Sequence, residues 1–514
     1  MMNAGVLDKR PYLKIGRASE LSGNDRIIYR ILEMLPGFLM WFTIIGVVFL
    51  SWFKPVWVAL FIIVFDVYWL IKTAYLSLHL RANWQRMKSN IETDWHKRLM
   101  NMKWQHLYQM VLLPFYKEDF GVIEDAVVSI LNSDWPKEKM IIILASEERA
   151  GATAAENAKK IFEKYGDKFA HFLITKHPKN IPGEMAGKGS NIAFAAEEAR
   201  KEILDKNNIP YEDVLVSAFD IDTRVYPKYF LCLTWHFLTA EKPYKSSYQP
   251  VPLYNNNIWQ SPALSRVVAT SGTFWQMIQQ ERPERLATFS SHSIPFKALY
   301  EIGYWQKNMV SEDSRIFWNF LLFYDGDYRV VPLSYPVSMD ANLAPSFWRT
   351  SLNVYKQQRR WTWGVENVPY ILFGFLKNKS IPLAQKLRLA FVQIEGFWSL
   401  STNPLLIFML GWLPLALGGQ EFNNMLLSYN LPRITRLLMT IAMLGLVGSA
   451  ILSFKLLPKR PDGKKFYNVV YMFFQWVLIP FTIIVFGAIP GVDSQTRLLL
   501  GKYMGFWVTP KYRK

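Results

Sequence analysis

The sequence contains a single cysteine, Cys232, among its 514 residues. One thiol excludes an intramolecular disulfide and a metal cluster held by cysteines. Neither a low-complexity tract nor an internal repeat is visible. Residues 80–375 also lack any apolar run long enough to span a bilayer. These absences exclude a disulfide-stapled scaffold and leave room for a large polar domain in the middle of the chain.

The composition indicates a protein with both a soluble and a membrane part. Hydrophobic residues make up 51% of the chain, aromatic residues 16%, and the mean hydropathy is +0.05. These values are too apolar for an ordinary soluble enzyme and too polar for a transporter built only of helices. The net charge of +18 fits a nucleic-acid-binding protein or a membrane protein with basic cytoplasmic flanks. Because the basic residues flank the apolar runs, we expect no nucleic acid partner.

The apolar runs are sharply placed, and each is near the roughly 20 residues that span a bilayer core. They cover residues 35–53, 56–71, 396–420, 437–454 and 466–492. A Lys54-Pro55 turn joins the first two as a hairpin. A long polar segment precedes the first run, which therefore does not resemble a cleaved signal peptide. Residues 384–394 are amphipathic, with Lys386 and Arg388 on the polar side, and suit the bilayer surface.

Lysine and arginine residues set the expected orientation in the membrane. They lie before the first run and after the second: Lys9, Arg10, Lys14, Arg17, Arg26, Arg30, Arg81, Arg86 and Lys88. Both flanks are typical of the cytoplasmic side, which predicts a multi-pass protein of the plasma (inner) membrane with a cytoplasmic polar domain. Five spans would leave the C-terminus outside, yet the tail GKYMGFWVTPKYRK is basic. Either one run does not span, or the last run is re-entrant near Pro480.

These patterns divide the chain into predicted segments. They are a cytosolic N-terminal segment at 1–34, a transmembrane hairpin at 35–78, a polar domain at 79–375, an interfacial amphipathic helix at 376–395 and a C-terminal transmembrane region at 396–514.

The polar domain alternates predicted strands with helices, which indicates an α/β domain with a mostly parallel sheet. The predicted strands are 108–115, 139–146, 169–177 and 212–222. In such sheets, ligands bind at the carboxyl ends of the strands. The residues expected at these ends are Pro114–Tyr116, Glu147 or Glu148, Gly187–Asn191 and Asp220–Asp222.

Three short motifs suit phosphate or proton chemistry, and each also has a purely structural interpretation. Asp220-Ile-Asp222 at a strand end can hold a divalent cation through oxygen ligands, or can occur by chance. Gly187-Lys188-Gly189-Ser190-Asn191 can let the backbone and a lysine approach a phosphate, or can be a glycine-rich entry to a helix. Ser311-Glu312-Asp313 can cap a helix, place a general base, or do both.

The order of these motifs resembles that of a known enzyme family. Asp220-x-Asp222 and Ser311-Glu312-Asp313 are followed by the stretch QQRRW, which begins at Gln357 and ends at Trp361 close to the membrane. This order resembles membrane-bound family-2 glycosyltransferases of the cellulose and hyaluronan synthase type, and the stretch VLLPFYKED resembles the family's opening strand. The resemblance implies a cytosolic GT-A domain inserted between N- and C-terminal transmembrane helices.

The resemblance also implies roles for individual residues. Asp313 would be the catalytic base of an inverting transfer. The donor-binding residues would be Tyr116, Glu148, Lys188, Asp220 and Asp222, with Asp222 acting through Mg²⁺ or Mn²⁺. The residues that bind the acceptor or the diphosphate would be Glu312, Gln357, Gln358, Arg360 and Trp361. The implied donor is a nucleotide-diphosphate sugar, with a UDP-sugar favoured, and the acceptor is a saccharide or a lipid-linked molecule.

The sequence departs from the family pattern at three points. The family usually has an aspartate pair after its second strand, but the chain reads ILASEERAG, so Glu147 or Glu148 must substitute, and we favour Glu148. Lys117 stands where the family often has asparagine. The stretch FSSHSIPFKAL replaces a Gly-Thr acceptor motif, so Ser291 and His292 are expected to shape a different acceptor site. These departures bear on the product and not on the glycosyl transfer itself.

Polysaccharide synthesis is the function that the sequence favours. One alternative is a nonprocessive enzyme that transfers a single sugar to a lipid carrier or glycolipid, and the length of the product would distinguish it. The other alternative is a nonenzymatic membrane protein that binds a nucleotide sugar without turnover.

Overall fold

A computed structural model describes residues 10–459 and 466–512. An α/β domain lies between long helices at either end of the chain, as the sequence predicts. The strands of the domain are β1 (Tyr108–Pro114), β2 (Met140–Glu147), β3 (His171–His177), β4 (Val214–Ala218), β5 (Arg224–Val225), β6 (Ser246–Leu253), β7 (Ser293–Pro295) and β8 (Arg329–Ser338).

The described strands form one mixed sheet in the order β3-β2-β1-β4-β7-β6-β8-β5. The first four strands pair in parallel, which confirms the predicted parallel sheet. β7 runs antiparallel to both β4 and β6, and β5 runs antiparallel to β8. The strands β5 to β8 are not apparent from the sequence, because β5 and β7 are very short and β6 and β8 contain prolines, which argue against a strand.

The parallel half of the sheet is buried on both faces. Met110 and Leu112 of β1 belong to one hydrophobic cluster, while the alternating Val111 and Leu113 belong to another. Continuous apolar strands of this kind are typical of parallel sheets covered by helices on both sides.

The helices of the α/β domain precede, connect and follow these strands. They are Trp95–Leu99, Phe120–Leu131, Ala152–Tyr165, Lys188–Ala199, Tyr229–Thr239, Ala263–Gln280, Phe296–Ile302, Glu312–Phe323, Phe347–Thr362 and Asn367–Lys377.

A second set of helices flanks the domain. They are Gly23–Phe53, Pro55–Glu92, Leu383–Phe408, Leu413–Leu417, Gly419–Asn423, Leu426–Lys455, Phe466–Phe474, Ile479–Ile483 and Ile489–Leu499. Among the described residues, three helical stretches are long and apolar enough to cross a membrane, namely Gly23–Phe53, Pro55–Glu92 and Val470–Leu499. A fourth is possible if Leu383–Phe408 and Leu410–Leu417, which meet at 49°, form one bent span. The predicted run 437–454 lies within Leu426–Lys455.

The predicted amphipathic stretch 384–394 lies in the helix Leu383–Phe408, which continues without a break past residue 395. Leu383, Leu387 and Phe391 are exposed at a spacing of four residues, so they form an apolar stripe on one helix face. The division into segments stays a prediction, and the first part of the segment 1–34, which includes Lys9, lies outside the described residues.

The last apolar run begins and ends against the α/β domain. Trp476 stacks on Phe274, with ring centroids 5.5 Å apart, and the hydroxyls of Ser494 and Thr362 lie 2.8 Å apart. Both contacts are to helices of the α/β domain, so this segment packs against that domain at two points. Because Val470–Leu499 is itself long and apolar enough to span, the re-entrant alternative and the side of the C-terminal tail stay predictions.

Candidate functional site

The carboxyl ends of β1, β2 and β4 meet at one edge of the sheet. The parallel register pairs Pro114 with Ala145 and Leu112 with Ala218. The chain therefore brings Tyr116, which follows β1, and Asp220, which follows β4, to the same edge. This is the arrangement that the order of strands and acidic residues predicts.

Lys188 lies at the centre of the site, at the start of the helix Lys188–Ala199. Its Nζ donates to Oδ1 of Asp220 at 2.6 Å and to both carboxylate oxygens of Asp313 at 2.9 and 3.0 Å. Burial by itself lowers the pKa of Lys188, but the two aspartates reverse this effect and hold it above its ordinary value. The ammonium of Lys188 thus connects the Asp220-x-Asp222 motif with Asp313 of the Ser311-Glu312-Asp313 motif.

Asp220 carries a negative charge despite its surroundings. Burial raises the pKa of its carboxyl, but Lys188, Lys511 and a hydrogen bond from Ser290 outweigh burial and hold the pKa below its usual range. The Ser290 hydroxyl donates to Oδ2 at 2.7 Å. Both oxygens of Asp220 therefore accept from donors within the site.

Asp222 is the more deeply buried member of the pair. Its Oδ2 accepts from Nζ of Lys511 at 2.6 Å and from the backbone N–H of Asp340 at 3.0 Å, while Oδ1 is buried without a hydrogen-bond partner among the described residues. Burial, Asp340 and Asp220 raise the pKa of Asp222, and Lys511 opposes them. The ammonium of Lys511 thus lies where a second positive charge stabilises the carboxylate pair.

Whether a metal ion fits this site depends on the free carboxylate oxygen of Asp222. Among the residues that the structure describes, no three His, Cys, Asp or Glu side chains are grouped closely enough to hold a metal ion. Mg²⁺, however, is commonly held by one or two carboxylates, with waters and substrate phosphates as the other ligands. An unpartnered carboxylate oxygen on Asp222, next to an oxygen that already binds an ammonium, suits a cation that binds together with a phosphate ligand. The metal site stays a prediction.

Lys511 belongs to the C-terminal tail, which sequence analysis noted only as basic. The tail follows the helix Ile489–Leu499 and crosses the site, where the Phe506 ring packs so closely on Gly187 that an added Cβ would lie 2.7 Å from it. Burial raises the pKa of Glu118, and the positive charge of Lys511 opposes this rise. The only signal in the sequence was the density of basic residues in the tail.

Glu312 and Asp313 open the helix Glu312–Phe323. Burial and the neighbouring Asp313 raise the pKa of Glu312 to about 8, against the opposing charges of Lys188 and Arg360. Ser311 occupies the N-cap position, but its hydroxyl donates to Glu366 at 2.7 Å and makes no capping hydrogen bond. The helix-capping interpretation therefore does not account for the serine.

Gly189 packs against this turn. An added Cβ at Gly189 would lie 3.0 Å from Cβ of Glu312 and 2.9 Å from the backbone oxygen of Gln306. The glycine thus allows the helix that carries Lys188 to approach the helix that carries Asp313.

The QQRRW stretch lies at the end of the helix Phe347–Thr362. Trp361 packs on the rings of Tyr254 and Phe289, with centroids 5.9 and 5.7 Å away. A small cavity beside Trp361 is lined in part by Gln357, Gln358 and Asp340. Through Asp340, which bonds Asp222, this cavity adjoins the carboxylate pair.

The two arginines of the stretch point in different directions. Arg359 donates to Asp493 at 3.0 Å, in the helix Ile489–Leu499. Arg360 lies with its guanidinium 5.1 Å from the centroid of the Phe506 ring, and its Nε is buried without a partner among the described residues. The predicted site residue Arg360 is thus on the site side, and Arg359 anchors the helix.

Glu147, the last residue of β2, and Glu148, which follows it, have different surroundings. Glu147 is buried and accepts from Nη2 of Arg149 at 3.0 Å, and the Arg149 guanidinium lies 4.5 Å from the centroid of the Tyr116 ring. Glu148 is 39% exposed and accepts from the backbone N–H of Lys179. Glu147 is therefore the glutamate connected to Tyr116, and the assignment of either to the donor stays a prediction.

Ser291 and His292, which were expected to shape an acceptor site, are fully buried. The His292 Nε2 accepts from the Trp305 indole at 3.2 Å, which leaves its Nδ1 to donate to the backbone oxygen of Phe289 at 2.8 Å. Their neighbours Phe289 and Ser290 are the residues that contact Trp361 and Asp220. Ser291 has a positive φ of 66°, so the chain turns at this point, and the turn places Ser290 against Asp220 and Nδ1 of His292 3.9 Å from Oδ1 of Asp313.

Comparisons with known proteins were made for the sequence and for the fold. The family model described as glycosyl transferase family group 2 matches residues 215–488. A search of curated proteins found no match.

Two solved glycosyltransferase structures are among those that match this chain. The mannosyltransferase PcManGT from Pyrobaculum calidifontis, in complex with GDP-Man and Mn²⁺, is 13% identical, with 74% of this chain and 99% of that chain covered and a TM-score of 0.40. A TarS fragment from S. aureus, in complex with UDP-GlcNAc, is 12% identical, with 70% and 95% covered and a TM-score of 0.36. Since the family model matches more than half of the residues of this chain, the chain belongs to glycosyl transferase family group 2.

Proposed function

We propose that the protein is a membrane-bound, inverting glycosyltransferase that transfers a sugar from a nucleotide-diphosphate sugar, with a UDP-sugar favoured, to a saccharide or lipid-linked acceptor. The observation that carries the proposal is the position of Lys188, whose ammonium bonds both Asp220 and Asp313. Asp220, which is proposed to bind the donor, and Asp313, the proposed base, thus bond the same lysine ammonium.

The proposed chemistry assigns a task to each part of the site. Asp313 takes the proton of the acceptor hydroxyl as its oxygen attacks the anomeric carbon, and the bond to the diphosphate breaks on the opposite face. Lys188 and Asp220 face the leaving diphosphate, and Tyr116 lies near the nucleotide base. Asp222 would hold Mg²⁺ or Mn²⁺, which when bound neutralises charge on the diphosphate. Asp313 returns to its carboxylate form by giving the proton to solvent.

The acceptor is proposed to bind beside Trp361. Its ring supplies an apolar face for a sugar, and Gln357 and Gln358 line the adjoining cavity. The helix that carries these residues is tied through Arg359 and Asp493 to a helix of the C-terminal membrane region. We place the α/β domain on the cytoplasmic face of the plasma membrane, and an acceptor site next to membrane helices suits a growing polysaccharide of the cellulose or hyaluronan synthase type.

The test is to incubate membranes that contain the protein with a panel of UDP- and GDP-sugars and to measure which nucleotide is released. Release from one sugar nucleotide, with a product that lengthens over time, supports polysaccharide synthesis. A product with a single added sugar supports the nonprocessive alternative. Binding of a nucleotide sugar without release of nucleotide, under every metal and acceptor supplied, would overturn the enzymatic proposal.

A further inference from the structure

Glu366 holds the stretch of chain that leads into Asp313. Its Oε1 accepts from the backbone N–H groups of Val310 and Ser311 at 3.1 and 2.9 Å and from the Ser311 hydroxyl at 2.7 Å. Its Oε2 accepts from the Trp363 indole N–H at 2.9 Å. The side chain is buried, at 7% exposure, so these bonds form away from water. A buried carboxylate with all of these donors strongly fixes the position of the groups it binds.

Asn367 holds the stretch that follows Asp313. Its Oδ1 accepts from Nε of Arg315 at 2.6 Å, and its Nδ2 donates to the Ser314 hydroxyl at 2.9 Å. The backbone oxygen of Glu366 accepts from the same Arg315 at 3.2 Å. Arg315 is fully buried and lies 3.8 Å from the centroid of the Tyr370 ring. The chain is therefore fixed on both sides of Asp313.

Glu366 and Asn367 lie five and six residues after Trp361, which ends the QQRRW stretch. Glu366 is the last residue of the short turn Trp363–Glu366, and Asn367 follows it. The segment that presents the proposed acceptor site thus also grips the turn that presents the proposed base. A movement of one would be transmitted to the other through buried hydrogen bonds.

We propose that Glu366 and Asn367 are positioning residues that set the distance from Asp313 to the acceptor held at Trp361. This inference rests on the proposed function. Their hydrogen bonds go to the chain on either side of Asp313 and to Trp363, so their proposed effect is on the geometry of proton removal. A misplacement of about 1 Å at a reacting group can lower a rate by about 10²-fold, so the loss of these hydrogen bonds should have a measurable effect on the rate.

The chemistry of Glu366 explains why glutamine cannot replace it. Both carboxylate oxygens face donors, and the indole of Trp363 and the backbone N–H groups cannot act as acceptors. A glutamine at this position has only one acceptor oxygen. Whichever way its amide is turned, the NH₂ group faces either the Trp363 indole or the backbone of Val310 and Ser311.

The test is Glu366→Gln in the full chain, purified in detergent or lipid. We expect the affinity for the donor to stay unchanged and kcat to fall by about 10–10²-fold, because only the approach of base and acceptor is disturbed. Donor affinity that falls in proportion to kcat would overturn the inference, since it would show a general disruption of the site.

A second substitution gives a rescue that a merely structural role does not predict. Trp363→Phe removes the indole donor, so the glutamine NH₂ of the double variant can face that side while its oxygen accepts from Val310 and Ser311. The double variant should have a higher kcat than Glu366→Gln alone. A kcat that falls further in the double variant would contradict the inference. If Glu366→Gln does not fold, Ser311→Ala, which removes one of the hydrogen bonds, should lower kcat at constant donor affinity.

Asp325→Asn is the matched control. Asp325 lies just after the other end of the same helix, Glu312–Phe323, and accepts from Arg10 and Asn378. It should change stability and leave kcat unchanged, and an equal loss of kcat in this variant would overturn the positioning role. If Asp313→Asn is inactive and Glu366→Gln is normal, the positioning fails while the proposed function stands. If Asp313→Asn is active, the base and the inference both fail.

Discussion

Lys188 joins two carboxylates that lie far apart in the sequence and have different proposed tasks. With Asp313 on one side and Asp220 on the other, its charge is shared between the proposed base and the proposed donor site. In the proposed mechanism, a bound diphosphate would draw this ammonium toward itself. The proposed base would then be held in place before the donor arrives and less tightly bound once the donor is present.

Asp313→Asn should abolish transfer while donor binding is kept. Asparagine preserves the shape of the side chain and its amide oxygen can still accept from Lys188, but it cannot take up a proton at neutral pH. Removal of a general base lowers a rate by about 10²–10⁴-fold. The measurements are nucleotide release by the purified protein and titration with the nucleotide sugar. Turnover within a few-fold of the parent would exclude Asp313 as the base.

Glu312→Gln should change how stability depends on pH. The pKa of Glu312 is raised from 4.5 to about 8 in the folded protein, chiefly by burial. The folded state therefore binds the proton more tightly than the unfolded state, and this contribution is fully present below pH 4.5 and is lost as the pH rises through 8. Glutamine stays neutral throughout, so the variant should lose less stability between these pH values.

Thermal unfolding of both proteins at several pH values checks this expectation. The unfolding temperature of the variant minus that of the parent should become more positive as the pH rises. A constant difference would show that Glu312 does not change its protonation on unfolding in this range.

At the scale of elements, the helix Phe347–Thr362 joins the proposed acceptor site to the membrane helices. Trp361 faces Tyr254 and Phe289 in the α/β domain, while Arg359 bonds Asp493 in the helix Ile489–Leu499. One helix therefore presents its motif on one side and its anchor on the other. This two-sided attachment predicts separate effects for substitutions on the two sides.

Trp361→Ala should weaken the use of the acceptor more than the binding of the donor. The large ring that would stack on a sugar is lost, while the carboxylates and Lys188 are untouched. The dependence of nucleotide release on acceptor concentration, with donor affinity alongside, measures the effect. Trp361→Phe is the control, since it keeps an aromatic face and should lie between parent and alanine. Lost donor affinity with unchanged acceptor dependence would contradict this placement of the acceptor.

At the scale of the whole molecule, the C-terminal tail closes the chain back onto the sheet. Tyr503 donates to both carboxylate oxygens of Glu33 at 2.9 and 2.8 Å, and Lys511 reaches Asp222 farther along. The tail thus contacts the first membrane helix and the carboxylate pair. A cation on the unpartnered Oδ1 of Asp222 would lie next to the ammonium of Lys511 on Oδ2, so the two positive charges would compete for one carboxylate.

Lys511→Ala should therefore raise the affinity of the nucleotide-free protein for Mn²⁺. Removing the ammonium leaves Asp222 without its cationic partner, so a divalent cation bound to the same carboxylate is no longer opposed by this neighbouring positive charge. Titration of Mn²⁺ into the protein, followed by the paramagnetic signal of the free ion, measures the change. Lys502→Ala, at an exposed position of the same tail, is the control and should bind as the parent does. Equal or weaker binding by Lys511→Ala would show that the two cations do not compete.

The sequence by itself determined the parallel strands β1 to β4 and the edge where Asp220, Lys188 and Tyr116 meet. Alternation of apolar strands with helices is a local pattern, and parallel pairing then places every carboxyl end on one side. The order of Asp220-x-Asp222, Ser311-Glu312-Asp313 and QQRRW likewise predicted a family-2 glycosyltransferase, which the family match confirms, while the cellulose and hyaluronan synthase type stays a proposal.

Only the tertiary structure decided which charge partners each carboxylate has. Lys511 meets Asp222 across 289 residues of chain, and Glu366 meets Ser311 across 55. Periodicity and motif spacing carry no information on such distant pairs, because a pairing depends on how all the intervening elements pack. The same reason applies to Glu147 and Glu148, where the path of the chain at the end of β2 decides which side chain is connected to Tyr116.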